Sequence, residues 1–329
     1  MIALFLKELR GFFSTLMGYV VVAVFLLLLG LFLWVFPGDR NILDAGQASL
    51  EVMFVWSPWI FMFLIPAITM RSFAEEHRSG TMELLLTRPL GEGQIVLAKF
   101  LGAFMVMVFA LLPTLLYIPI LGELGQPQWN FDAGAIRGSY CGLLLLGAAF
   151  TSIGVLVSTW TRNPLVAFLL TLLLLVFGFI GFTALGQFSW LGSWDLAFTQ
   201  IGMEAHYRAM SMGVLHARDL VYFFVVIGVS LWTARLALLW TRGQRRQDVI
   251  QWVLGLALAG VASFAISLFP AQWDLTEEKR HTLTDSTQDL LASLDDEVFV
   301  TCYLAGEYPA QWKRLERSIR FQLNEFSEA

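Results

Sequence analysis

Long apolar runs joined by short polar links dominate the chain. A helix needs about 20 apolar residues to cross ~30 Å of hydrocarbon. Seven stretches reach or approach that length: Leu16–Phe36, Val52–Met70, Phe100–Leu121, Ser139–Trp160, Pro164–Leu185, Leu220–Trp240 and Val249–Phe269. Leu220–Trp240 holds Arg235 near one end, where a long side chain can snorkel to the interface; the other six contain no Asp, Glu, Lys or Arg.

The pattern changes character at both ends. Residues 4–16, LFLKELRGFFSTL, set Phe5, Leu9, Phe12, Phe13 and Leu16 on one side of a helix. Lys7, Arg10 and Ser14 take the other side and Glu8 the boundary, the pattern of a helix lying on a leaflet. Beyond residue 270 the chain reads as a soluble domain. TLTDSTQDLLASLDD is an amphipathic helix with Thr284 as a candidate cap, and EVFVTCYLAG alternates like a strand. PAQWKRLERSIRFQLNEF is helical again. One strand makes no sheet, so residues 271–329 are expected to be either an incomplete α/β domain or a segment that borrows its sheet from elsewhere. RGQRRQ (242–247) marks a basic boundary between the two parts, and 186–218 is expected to form short helices at the outer interface.

Composition agrees. The 329 residues are 57% hydrophobic and 14% charged, with mean hydropathy +0.68, where a soluble domain carries about 25% charged residues. Charge then orients the spans. With the N-terminus inside, the inner segments hold eleven Lys/Arg: Lys7, Arg10, Arg71, Arg78, Arg88, Lys99, Arg162, Arg235, Arg242, Arg245 and Arg246. The outer loops hold four: Arg40, Arg137, Arg208 and Arg218. The N-terminus is thus placed in the cytoplasm, and seven crossings put the tail, with twelve Asp/Glu against six Lys/Arg, outside.

The most informative link is RSFAEEHRSGTMELLLTRP, between the second and third runs. Its six charges (Arg71, Glu75, Glu76, Arg78, Glu83, Arg88) would cost roughly 15–20 kcal/mol at mid-bilayer, so they belong in water or against a protein. Gly80 is expected to end one short helix and Thr81-Met82-Glu83 to begin another, with Glu83 in its favourable first turn. A helical loop of fixed charges can take up the motion of a partner; it can equally be a solvated loop with weak i,i+4 pairs.

The absent patterns narrow the chemistry. No G-x-x-x-x-G-K-[ST], H-E-x-x-H or G-x-S-x-G occurs. His77, His206, His216 and His281 do not cluster in sequence, and Cys141 and Cys302 fit no metal or redox spacing. No catalytic residue, metal or cofactor site is expected, nor nucleic-acid binding. Spans free of carboxylates disfavour an ion-coupled relay. Uphill transport would need energy from a partner. Ser57, Thr69, Thr114, Thr151, Ser152, Ser158 and Thr171 could line a path or pack helices, and Pro58, Pro66, Pro113 and Pro119 are candidate kinks.

RSFAEEHRSGTMELLLTRPLGEGQIVLAKFLG resembles the segment after the second span of ABC-2 type permeases, where E-E-x-x-x-G-T-x-E-x-L-L-x-x-P recurs. FLKELRGFFSTLMGYV is similar to their amphipathic connecting helix, and MGVLHARDLVYFFVV to their approach to the last span. WDLTEEKRHTLTDSTQDLLASLDDEVFVTCYL resembles the N-terminal part of the gliding-motility Gld G family. The chain looks like a Gld F-type permease fused to the start of a Gld G-type extracytoplasmic subunit.

The resemblance implies an all-α polytopic membrane protein of the bacterial inner membrane. Residues 1–15 would be the connecting helix, carrying Phe5, Lys7, Glu8, Arg10, Phe12 and Phe13. Residues 16–241 would be the six-span permease, with the cytoplasmic coupling loop at 71–91. A basic linker (242–248), a seventh anchoring span (249–270) and the start of an α/β extracytoplasmic domain (271–329) would follow. Arg71, Glu75, Glu76, Arg78, Gly80, Thr81 and Glu83 would face the ATPase. Expected partners are two ATPase subunits holding ATP and Mg, a second permease half (a homodimer), the bilayer, and an envelope protein reached through 271–329. The alternative is a non-transporting anchor that displays the tail.

Overall fold

The computed structural model describes residues 1–38, 41–44, 46, 48–87, 89–186, 195–240, 250–257 and 272–276, with isolated positions beyond (260, 287, 290, 293, 300–301, 315, 319 and 323). Helix α1 (Ile2–Phe13) ends where the Ser14 hydroxyl donates back to the Gly11 carbonyl. The extended Thr15 then turns the chain into α2 (Leu16–Gly30), which continues as a π-helical turn, Leu31–Val35. Next come α3 (Glu51–Thr69) and two short helices, α4 (Ala74–Ser79) and α5 (Met82–Leu86). α6 (Glu92–Leu111) tightens to 3-10 geometry at Leu112–Leu116, around Pro113, before α7 (Tyr117–Leu124). α8 (Ala133–Trp160) follows, capped by the Asp132 side chain. α9 (Pro164–Val176) begins with Asn163 as cap and Pro164 at the first position, then passes through a π-turn into α10 (Phe182–Leu185). α11 (Asp195–Ile201), α12 (Met203–Ser211), β1 (Val214–His216) and α13 (Ala217–Trp240) complete the bundle. β2 (Gln272–Asp274) pairs with β1 antiparallel, Leu215 opposite Trp273.

The chain is a helical, multi-pass membrane protein. Six helical stretches among the described residues are long and apolar enough to span, in the order the hydropathy pattern predicts. The third starts earlier than the apolar run, at Glu92, because Gly91 and Gln94 form a capping pair and the polar Gln94 and Lys99 are carried on the helix. The seventh predicted run, the basic linker and the predicted tail elements lie almost entirely outside the described residues. Residues 250–257 are helical.

α8 is the axis of the bundle. In its most apolar window 72% of residues are buried, against 28% for α2 and 22% each for α9 and α13, which form the outer wall. A core of Phe25, Phe54, Phe61, Met107, Leu143, Phe150 and Phe223 fills the centre. The span hydroxyls turn inward. Ser57, Thr69, Thr114, Thr151 and Ser152 each donate to a carbonyl three or four residues back on their own helix. That arrangement satisfies them inside an apolar bundle and favours helix packing over a polar path. Pro58 and Pro66 sit inside α3, which is α-helical throughout.

At the β1 end, α12 is tied down by polar bonds. Tyr207 donates to the Phe54 carbonyl at 2.6 Å and Tyr222 to that of Ile201 at 2.6 Å. Asp219, 3% exposed in its side chain, accepts His206 Nδ1 at 2.7 Å and lies 3.2 Å from His216 Nδ1. Within the predicted 186–218 stretch, Asp195–Ile201 and Met203–Ser211 are short helices, and 187–194 lie outside the described residues.

Candidate functional site

The site lies at the α1 end of the bundle, where α1, α4, α5 and α6 meet. α1 lies against α6 because Gly102 leaves room for it. A Cβ on that glycine would lie 3.0 Å from the Glu8 Cβ. Across this contact Lys99, whose side chain is only 2% exposed, bonds two carboxylates. Its Nζ is 3.1 Å from Glu8 Oε1 and 3.0 Å from Glu76 Oε1. It also stands 5.0 Å from the Phe73 ring centroid. One buried ammonium therefore joins the N-terminal helix, the loop after α3 and the helix that follows. Burying such a charge costs several kcal/mol unless it is paired; two charge-assisted bonds and a ring face supply the compensation.

α4 is held from beneath. The Ser158 hydroxyl, near the end of α8, accepts the backbone N–H groups of Phe73 (2.9 Å) and Ala74 (3.1 Å). These are amides of the first turn, which have no partner within the helix. Gly80 closes α4 at φ +70°, the left-handed cap that glycine adopts without steric penalty. α5 then turns Met82 and Leu85 down onto Leu4, Phe73, Ile95 and Val96.

The outward surface of the loop carries Arg71, Arg78, Ser79, Gly80, Thr81, Glu83 and Leu84, all exposed, with Leu84 67% so. Glu75 is half-buried and lies between Arg78 (3.1 Å) and Arg71 (3.8 Å). His77 is turned inward toward Arg162 and the Thr159 backbone. Burial first, then the Arg162 charge, lower its pKa below the ordinary histidine value.

The predicted residues divide by exposure. Arg71, Glu75, Arg78, Gly80, Thr81 and Glu83 share one surface. Glu76 instead points inward to Lys99. Arg88 lies outside the described residues. On α1, Lys7 and Arg10 are exposed, Phe5, Phe12 and Phe13 are half-buried, and Glu8 joins the charge cluster. Leu16 is not part of the buried face; it opens α2 and is 78% exposed. Leu4, outside the predicted stripe, is the buried residue of α1. Lys99 and Ser158 were not singled out for this site. A lone lysine beside Phe100 at the start of an apolar run was the available signal.

The sequence model of the ABC-2 family transporter proteins matches residues 2–269, most of the chain. The chain belongs to that family. A second match, to a domain of unknown function (DUF7088), covers residues 277–329. Among curated proteins, a probable ABC transporter permease protein, NosY of Stutzerimonas stutzeri, is 35% identical over 103 residues. That is 28% of this chain and 37% of the relative, so the chain spans little more than a third of that relative's length. Family membership agrees with the six spans of the helical bundle. The loop that the ABC-2 resemblance singled out is the charged, exposed α4–α5 surface.

Proposed function

We propose that this ABC-2 permease is driven by a separate ATPase that docks on the α4–α5 surface. Its motion would pass through the Lys99 cluster to α1 and α6. The observation that carries the reading is the division of the loop into two sides. Its outer side leaves Arg78, Thr81, Glu83 and Leu84 exposed. Its inner side is bonded to two other helices through one buried lysine. A push on the outer side displaces α1 and α6 together, since parting them would expose an uncompensated charge. The positive-inside count supports a cytoplasmic placement of this face in a bacterial inner membrane. ATP and Mg would be held by two ATPase copies, and a second copy of this chain would complete the permease. The relative's designation as a probable ABC transporter permease is in keeping with this role.

The same reading takes the chain as a Gld F-type permease with a Gld G-type tail, in an export or envelope-remodelling role. A seventh crossing is supported by geometry. α13 starts beside β1 and, at 1.5 Å per residue, carries the chain about 36 Å away over Ala217–Trp240. β2 pairs with β1, so Gln272–Asp274 lie back at the starting side. That pairing is also the observation that favours the second reading, a non-transporting anchor presenting residues 271–329 to an envelope partner.

Co-purification with the co-encoded ATPase at equal membrane expression tests the proposal. Glu83→Ala/Leu84→Ser is expected to lose the ATPase. Lys99→Met is expected to retain it but to abolish the permease's effect on ATP turnover. Undiminished ATPase recovery with Glu83→Ala/Leu84→Ser, and turnover indifferent to Lys99, would overturn the coupling role and leave the anchor.

A further inference from the structure

Two concavities on the α1 side share part of their walls. The first, about 260 Å³, is lined by Lys7, Glu8, Arg71, Glu75, Glu76 and Lys99 among others. The second, about 390 Å³, is an apolar groove between α2 and α3, lined by Val20, Val24, Leu28, Phe32, Trp59 and Phe63 among others. Met17 and Ala67 line both. The groove faces outward: Val20, Val24, Leu28, Trp59 and Phe63 are 36–59% exposed. From Met17 to Phe32 it follows α2 for about 22 Å, more than half the ~30 Å thickness of the hydrocarbon. A charged mouth at the membrane surface, continued by an apolar channel of leaflet depth, matches a phospholipid.

The charges at the mouth select among headgroups. Three cations and three carboxylates line it, so it is not an anion site by net charge. Lys99 is already occupied by Glu8 and Glu76. Lys7 makes no ion pair among the described residues, and Arg71 has only a 3.8 Å contact with Glu75. These two cations remain for a phosphate. Glu76 Oε2 is buried without a hydrogen-bond partner, whereas Glu75, beside it in the lining, is already paired with Arg78. The orphaned oxygen calls for an N–H donor carrying positive charge. We propose that the mouth and groove together bind phosphatidylethanolamine: phosphate on Lys7 and Arg71, ammonium on Glu76, one acyl chain along α2 and α3. The inference rests on membrane placement and the cavity, not on the coupling role.

Native mass spectrometry of the purified, delipidated full chain tests it, with no ATPase present, so its outcome is separate from that of the coupling proposal. The probes are dioleoyl-phosphatidylethanolamine, -choline and -glycerol. Phosphatidylethanolamine is expected to bind about tenfold tighter than either, the factor for one charge-assisted hydrogen bond. Glu76→Gln is expected to erase that preference, and Lys7→Ala/Arg71→Ala to weaken all three lipids. Val24→Trp fills the groove and leaves the mouth intact; it is expected to lower ethanolamine-lipid retention at least about tenfold. Glycerophosphoethanolamine, which has no acyl chain, is not expected to compete. Equal retention of the three lipids would mean annular lipid only and overturn the proposal. So would a preference that survives Val24→Trp, or competition by the chainless headgroup. Efficient Val24→Cys cross-linking between copies would seat a second chain in the groove and overturn it as well.

Discussion

Gly102 on α6 and Glu8 on α1 stand so close that a Cβ on the glycine would lie 3.0 Å from the Glu8 Cβ. The neighbour in that contact is not the movable end of a long side chain but an atom fixed to the α1 backbone. An alanine at 102 needs this contact to open by a few tenths of an ångström, and a long side chain must lift α1 off α6. Gly102→Leu is expected to destabilise the protein by about 1–3 kcal/mol, the usual cost of overpacking, and to separate Glu8 from Lys99. Thermal unfolding of the purified protein and a cysteine pair placed across α1 and α6 would read the two effects.

Lys99→Met leaves Glu8 and Glu76 facing each other without a counter-charge. Removing one partner of a buried pair costs about 3–5 kcal/mol. The value here is expected near the lower end, because the Glu8 side chain is still 24% exposed and keeps part of its hydration. Adding Glu8→Gln and Glu76→Gln to Lys99→Met is expected to recover most of the loss. Chemical denaturation of the single, double and triple variants forms the required cycle.

Ser158→Ala removes the acceptor for two amides without changing the apolar packing. Phe73 and Ala74 are both fully buried, so water cannot replace the hydroxyl. A loss of about 1–3 kcal/mol is expected. Hydrogen exchange should show faster exchange confined to residues 73–79, with α8 itself unchanged. Uniform acceleration across the bundle would contradict a local role.

His77 makes the seating of α4 depend on pH. Its folded pKa lies below the ordinary 6.5, so between 6.5 and that lowered value the unfolded chain binds more protons than the folded one. Stability is then present above pH 6.5 and is lost as pH falls through the folded value. Wild-type α4 is expected to loosen on acidification and His77→Gln to be insensitive. Exchange at residues 73–79, measured across pH 5–7.5 and corrected for intrinsic rates, checks both. An identical pH profile in the variant would contradict the assignment.

Asp219→Asn is expected to weaken the attachment of α12, since it removes the carboxylate charge from the pair with His206 and from beside His216. The resemblance in MGVLHARDLVYFF has a structural basis here. Asp219 receives His206, Tyr222 stacks on that imidazole at 3.9 Å, and Phe223 is fully buried in the core. Limited proteolysis at 195–211 should accelerate in the variant.

Much of the architecture was open to reading along the chain. Six apolar runs, the Gly80 break between α4 and α5, the Asn163–Pro164 helix start and the polar face of α1 are local features. Hydropathy, left-handed glycine geometry and capping depend only on near neighbours, and a membrane leaves few alternatives for an apolar run of 20 residues. Lys99 is different. Glu8 and Glu76 lie 91 and 23 positions away from it, and no periodicity links such distant positions. Nor does composition reveal that Glu76 turns inward while Glu75 and Glu83 do not, or that Ser158 supports a helix 84 residues earlier. β1 and β2 are three residues each and become strands only by meeting one another. Those features are long-range pairings, and their energy exists only once the helices are packed. The spans could therefore be read from the order of residues alone, whereas the charged joint at their α1 end came into being with the tertiary fold.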